Sequence, residues 1–280
     1  MKSKWVKGLL AILAVLVAII LIRTFSPTTS EATGTGFDFA PDEARVTSLM
    51  SDAVKYKTIS FGRDKPTSSK ELVAFHQFLA DKFPLVHRSL KREVVNKYSL
   101  LYTWQGSAPQ EKPVLLLGHL DVVPVIPGTE ADWKQPPYAG VVADGYIWGR
   151  GTLDNKVNII GILEAAENML RAGVQPQRTI YFAFGHDEEQ GGIDGALEMS
   201  KLLESRGVEA EFLIDEGGLV TSGVVPGVDV PLAIIAPAEK GIVTLELKAR
   251  GAGGHSSVPP KQSSIGILAA AIANLEANQF

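Results

Sequence analysis

Three short apolar runs in this chain each stop at an acidic motif. LLLG leads into His119 and Asp121 in GHLDVVP, IYFAFG into Glu188 and Glu189 in GHDEEQGG, and FLI into Asp215 in LIDEGG. A fourth motif, GRGTLDNK, sets Asp154 before a long stretch rich in Ile, Leu and Ala. Runs of this length with β-branched and aromatic residues read as buried parallel strands. In an open α/β sheet, ligands gather outside the carboxyl ends of the strands. Several acids and one His at successive strand ends therefore predict a single site.

The remaining pattern fits that frame. Residues 41–56 read as a helix with Ala44, Val46, Leu49 and Val54 on one side, and with Asp42 and Glu43 in a first turn that suits the helix dipole. Residues 67–83 read as a second helix, carrying Leu72, Phe75, Phe78 and Leu79 on one face and His76 as well. His87 falls in a loop, and residues 94–104 alternate as one strand. Residues 141–148 form a hairpin around Asp144–Gly145. A long helix covers 155–172, a strand 179–184, a helix 195–205 and a strand 211–214. Lys156 and Asn158 are read as helix surface or as neighbours of the site, and His186 as a packing residue beside the acids. Strands alternating with helices predict an α/β class with a mostly parallel sheet flanked by helices. Beyond Ala238 the pattern changes. Residues 242–249 alternate as a half-exposed strand, GAGGHSS follows, and an Ala/Ile-rich helix starts near Ser264, so a second domain begins near Glu239.

The chain has 280 residues, enough for one or two domains with a sizeable core. A net charge of −4 argues against a nucleic-acid partner, which usually meets a strong basic patch. With no Cys, disulfides, thiolate metal sites and Cys nucleophiles are excluded. The N-terminus stands apart. Lys2, Lys4 and Lys7 precede an apolar run from Gly8 to Ile22, closed by Arg23. That run is about fifteen residues, short of the roughly twenty of a comfortable span, although Trp5, Val6 and Phe25 extend it at the interfaces. The basic residues favour a cytoplasmic N-terminus. An uncleaved signal anchor over 1–25 is the leading reading, a cleaved signal peptide the rival, and a buried helix the third. Both leading readings place the rest of the chain outside the cytoplasm: a single-pass membrane protein, or a secreted one. Residues 26–38, including SPTTSEATGTG, read as a polar stalk.

A bridged two-metal centre needs a carboxylate between the ions, terminal ligands on each, and a nearby base for water. Asp154 is the candidate bridge. His119 and Asp215 are candidates to complete one ion and Glu189 to serve the other. Glu188, pointing elsewhere, is the candidate proton acceptor. Asp121 is the candidate to hold the second ring nitrogen of His119. Each motif alone has an ordinary explanation: an N-cap for Asp154, a solvated turn for the acidic pairs. Their joint order is specific.

That order of H-x-D, G-R-G-x-x-D-[DN]-K, D-E-E-x-G-G and D-E-G-G resembles the M20 family of zinc metallopeptidases, in its carboxypeptidase S and PM20D1-like branch. The resemblance runs from about Pro41 to Pro260. It implies two zinc ions, one held by His119, Asp154 and Asp215, the other by Asp154 and Glu189. It implies Glu188 as general base, Asp121 as the acid orienting His119, and a cis peptide between Asp154 and Asn155. His255 in GAGGHSS matches a His of the family's inserted lid that stabilises the oxyanion. In dimeric members that His comes from the partner subunit, so the resemblance allows a homodimer through the lid. Residues 39–238 are then the zinc-peptidase-like catalytic domain and 239–280 the start of an α+β lid.

The implied activity is hydrolysis of an amide bond next to a free carboxylate, in a peptide or an N-acyl amino acid. The alternative is a non-catalytic, membrane-anchored metal-binding protein of the same fold. The family's last zinc ligand is a His after the lid, and His76, His87, His186 and His255 do not match it. The chain is therefore expected to be an N-terminal fragment, inactive by itself.

Overall fold

The computed structural model describes residues 2–25, 40–62, 68–217, 220–238, 240–241, 243–251, 253–255, 257–258 and 260–278. The stalk assigned to 26–38 lies outside them. The chain divides into two compact units, 1–213 and 214–280, and this division falls inside the span 39–238 that the sequence assigns to one domain.

Helix α1 (Lys2–Phe25) is continuous, and its stretch Val6–Arg23 has a mean hydropathy of 2.6. By length and composition it is able to cross a membrane. The rest of the first unit holds α2 (Glu43–Val54), α3 (Ser69–Lys82), α4 (Pro84–Ser89), β1 (Lys91–Val95), β2 (Ser99–Trp104), β3 (Val114–His119), β4 (Val141–Ala143), β5 (Tyr146–Trp148), α5 (Lys156–Arg171), β6 (Ile180–Gly185) and α6 (Ala196–Ser205). Strand β7 (Phe212–Ile214) straddles the division.

Five strands form the main sheet in the order β1-β2-β6-β3-β7. β3 and β6 are parallel, with Leu117 opposite Ala183 and His119 opposite Gly185. β1–β2 and β2–β6 pair antiparallel. The fold is α/β, with helices on both sheet faces. Period-two alternation divides the strand side chains between two cores. Leu100, Tyr102, Phe182 and Phe184 join α2, α3, α4 and α5 on one face. Leu101 and Ala183 meet Met199 and Leu203 of α6 on the other. Burying each such Leu or Phe contributes about 1.5–3 kcal/mol.

Local signals account for the start of α2 and for one hairpin turn. Asp42 accepts the Arg45 N–H at 3.0 Å, a side-chain cap for α2. Asp144 and Gly145, with φ of 54° and 79°, turn the β4–β5 hairpin as their sequence predicts.

Four expectations need correction. The strand expected over 94–104 is a hairpin, β1 and β2, reversing over residues 96–98 with φ of 42° at Asn96 and 78° at Lys97. Alternation continues across the turn and conceals it, because Lys97 carries no left-handed signature. His87 lies in α4 rather than a loop. No side chain caps α4 locally; the buried carboxylate of Glu167 in α5 accepts the N–H groups of Leu85 and Val86 at 3.1 and 2.9 Å. A cap some eighty residues away leaves no trace beside the helix. In the second unit, β8 (Val220–Thr221) pairs with β9 (Leu232–Ala233), and Ser263 caps α7 (Ser264–Ala277). The strand expected over 242–249 is absent among the described residues 243–249. Alternation marks two faces, but a strand also needs a ladder partner. The FLI run does form β7, yet its side chains are exposed rather than buried.

Three histidines sit inside the first unit as neutral bases. His76 donates from Nε2 to the Tyr98 carbonyl at 2.9 Å, and burial lowers its pKa to about 4. Burial also lowers His87 and His186. A base with a folded pKa below its unfolded one takes up protons more readily when unfolded. The stabilisation is therefore full above about pH 6.5 and drains as pH falls toward 4. Urea titrations should show about 1–3 kcal/mol lost from this source between pH 7 and 4.5, and His76→Gln should flatten that slope. An unchanged slope in the variant would remove His76 from the account.

Candidate metal centre

The site is built where β3 ends. The His119 imidazole is 2 % exposed. Its Nδ1 faces the Asp121 carbonyl at 2.9 Å and the Asp121 carboxylate at 3.3 Å, so Nδ1 carries the proton. Nε2 is thereby directed at the Asp154 carboxylate, 2.8 Å away, with a Glu188 oxygen at 3.8 Å. The backbone N–H of His119 donates to Asn155 Oδ1 at 3.3 Å. Gly118 leaves room for that amide: a Cβ there would lie 3.1 Å from Asn155 Oδ1.

Asp121 is 1 % exposed and ties together several segments. It accepts from the Ser60 hydroxyl at 2.6 Å and from the backbone N–H groups of Glu188 and Glu189 at 3.1 and 3.2 Å. The acidic pair therefore rests on the carboxylate that orients His119. Residues 58–60 run beside 120–122 through an Ile59–Val122 bridge and a Ser60 N–H to the Val122 carbonyl at 3.0 Å. Ser60 was missed in the sequence because a lone Ser in TISFG carries no spacing signal.

Asp154 precedes α5, and the Asp154–Asn155 peptide is cis. Its side chain is largely exposed. Lys156, two residues on, is not helix surface: it is 0 % exposed. Its Nζ donates to the carbonyls of Ala53 and Tyr56 at 3.0 and 2.6 Å and lies 4.7 Å from the Phe75 ring centroid. Burial lowers its pKa to about 7.

Glu188 and Glu189 occupy a 3-10 turn after β6. Both turn toward His119: one ligand atom from each of the three residues lies within 4.8 Å of the others. Glu188 is half exposed, whereas Glu189 accepts the Val123 N–H at 3.2 Å. Burial, then the Asp154 charge, raises the Glu189 carboxyl to about 7. His119, Asp121, Asp154, Glu188 and Glu189 thus come together in the first unit. Asp215 directly follows β7 and belongs to the second unit, where its carboxylate accepts the Glu216 N–H at 2.9 Å. His255 is also in the second unit, exposed, with Nδ1 2.8 Å from the Ser257 hydroxyl.

This donor set suits a divalent cation. It offers one imidazole nitrogen with its tautomer fixed from behind and several carboxylates converging on it. Burial first and the Asp154 charge second raise the Glu189 carboxyl, and a bound cation would favour its charged form.

Comparison with known proteins places the arrangement. The chain is 43% identical over 233 residues to the probable carboxypeptidase S-like 2 of Dictyostelium discoideum, covering 82% of this chain and 44% of that protein. It is 41% identical over 237 residues to the mouse N-fatty-acyl-amino acid synthase/hydrolase PM20D1, covering 84% of this chain and 46% of that protein. With carboxypeptidase S of Saccharomyces cerevisiae it shares 40% over 242 residues, covering 82% and 41%. The chain spans about half the length of the curated relatives it matches. Human carnosine dipeptidase 1 has a similar fold, with a TM-score of 0.52 and 21% identity over 64% of this chain and 40% of that one. The model of Peptidase family M20/M25/M40 matches residues 115–279, from the strand that delivers His119 to the last described helix, and the chain belongs to that family.

Proposed function

We propose that the protein is a metal-dependent hydrolase of an amide bond next to a free carboxylate, in a C-terminal peptide or an N-acyl amino acid. The observation that carries this is His119 Nε2 held toward Asp154 while Glu188 and Glu189 close on the same ring. His119, Asp154 and Asp215 would hold one zinc ion, and Asp154 and Glu189 a second. When bound, the metal supplies Lewis-acid polarisation of the carbonyl and lowers the pKa of water. Glu188, half exposed at the end of β6, accepts the proton lost by the attacking water. The water oxygen bonds to the carbonyl carbon, the C–N bond breaks, and Glu188 returns that proton to the departing amine nitrogen. Asp121 keeps Nδ1 of His119 protonated and so keeps Nε2 on the metal side. His255 stabilises the oxyanion from the lid that starts in the second unit, and a homodimer through that lid is part of the reading. α1 is read as a signal anchor with a cytoplasmic N-terminus and the catalytic unit outside; a cleaved signal would yield a secreted form. Named relatives that are carboxypeptidases and N-acyl amino acid hydrolases support the substrate class.

Metal analysis of the purified protein tests this. The parent should take up zinc, and His119→Ala should weaken uptake by about 100-fold or more, since a three-ligand set loses its only imidazole. Equal metal content in parent and variant would overturn the ligand assignment.

A further inference from the structure

The β1–β2 hairpin has no part in the reading above, yet its tip grips the segment that carries both glutamates. The Ser99 hydroxyl and His186 Nδ1 are 2.7 Å apart, and both residues are buried. The Tyr98 ring stands edge-on to the His186 ring, with centroids 5.4 Å apart. At the far end of the acidic turn, the Asn96 amide donates to the Asp194 carbonyl at 2.9 Å. Asp187 binds across the turn, accepting the Asp194 N–H at 2.8 Å. Gly195 seals the contact: a Cβ there would lie 2.5 Å from Asp187 Oδ1, 3.0 Å from His186 N and 3.0 Å from Ser99 Oγ.

We propose that the hairpin tip, Asn96 to Ser99, is a positioning device for the acidic pair. Ser99 holds His186 where the turn begins, and Asn96 holds Asp194 where it ends. The physical need is clear from the intervening sequence. Residues 186–195 contain Gly191, Gly192 and Gly195, which give the segment high backbone freedom. Asp121 secures Glu188 and Glu189 through their N–H groups on the inner side only. A glutamate carboxylate is displaced by whatever tilts its backbone, so the outer side needs an anchor as well. The hairpin supplies it from β1 and β2, strands that bring no candidate ligand of their own. Asn96, Tyr98 and Ser99 are positioning residues, acting through His186 and Asp194. Removing a group bonded directly to a metal ligand typically weakens metal binding about 10–100-fold, and Asn96 and Ser99 stand one residue further out.

This inference rests on the metal-centre reading, and the test separates the two. Cobalt(II) chloride is titrated into the parent, Asn96→Gly, Ser99→Ala and the double variant, following visible absorption at a temperature where circular dichroism shows each folded. Asn96→Gly keeps the left-handed turn and removes only an exposed amide, so it stays folded even where Ser99→Ala is destabilised. Asn96→Gly should weaken the more weakly held ion several-fold and the double variant about tenfold or more, with an altered cobalt spectrum. Parent-like affinity and spectrum in Asn96→Gly and the double variant would overturn the positioning role alone. A parent that binds no cobalt would overturn the metal centre, and this inference with it.

Discussion

Glu188→Gln should lower turnover by about 10²–10⁴-fold or more while leaving metal content nearly unchanged. The amide keeps the size and shape of the side chain but accepts no proton at neutral pH. Neither the turn nor its support depends on that side chain, because Asp121 holds residue 188 by its backbone N–H. Glu189→Gln should behave differently. Its carboxylate is the more buried of the pair and accepts the Val123 N–H, and its pKa is raised to about 7 by burial and by Asp154. Loss of that charge should release metal first and activity as a consequence. Steady-state rates on an N-acyl amino acid and a blocked dipeptide, beside metal analysis of both variants, distinguish the roles. Metal loss in Glu188→Gln with metal retained in Glu189→Gln would exchange the two assignments.

The second large effect is on stability. Lys156→Met should cost about 1–3 kcal/mol, because it removes two hydrogen bonds to carbonyls at the end of α2, each worth about 0.5–1.5 kcal/mol net, while the N–H groups of Tyr56 and Thr58 still reach the Ala53 and Tyr56 carbonyls. Methionine keeps the length of the stem and its contact with Phe75, so little cavity forms. The amine retains at least two N–H groups in either protonation state, one for each carbonyl, so the loss should appear on both sides of pH 7. Lys156→Ala adds a cavity and should lose more. Urea denaturation monitored by tryptophan fluorescence measures both. A loss below about 0.5 kcal/mol in Lys156→Met would mean that the amine adds little to the backbone N–H groups already bonded to these carbonyls.

What could be read from the sequence was whatever is local along the chain. β3 and β6 were legible because their apolar runs are short, unbroken and followed at once by the residues they deliver. The β4–β5 turn was legible because Asp144–Gly145 is written in the turn itself. The β1–β2 turn stayed hidden because Lys97 carries no left-handed signature, and the other hidden features have determinants far away in sequence. Glu167 caps α4 from another helix, and Lys156 is buried against Phe75 of α3 and the end of α2, about a hundred residues earlier. Ser60 reaches Asp121 through a bridge that no periodicity announces. At the candidate site, His119, Asp154, Glu188 and Glu189 were legible, as was Asp121 behind His119, whereas Ser60, which holds Asp121, was not.

The strand order carries a consequence for biosynthesis. β2 and β3 follow one another in the chain, yet β6 lies between them and pairs with both. Until residues 180–185 leave the ribosome, each presents an unsatisfied backbone edge toward the space β6 will fill. Such edges are templates for wrong pairing and chaperone capture. A nascent chain halted near residue 175 should therefore be protease-sensitive and chaperone-bound, and one halted well past β6 should not. The strand that presents the acidic pair is also the one that ends this vulnerable interval of synthesis.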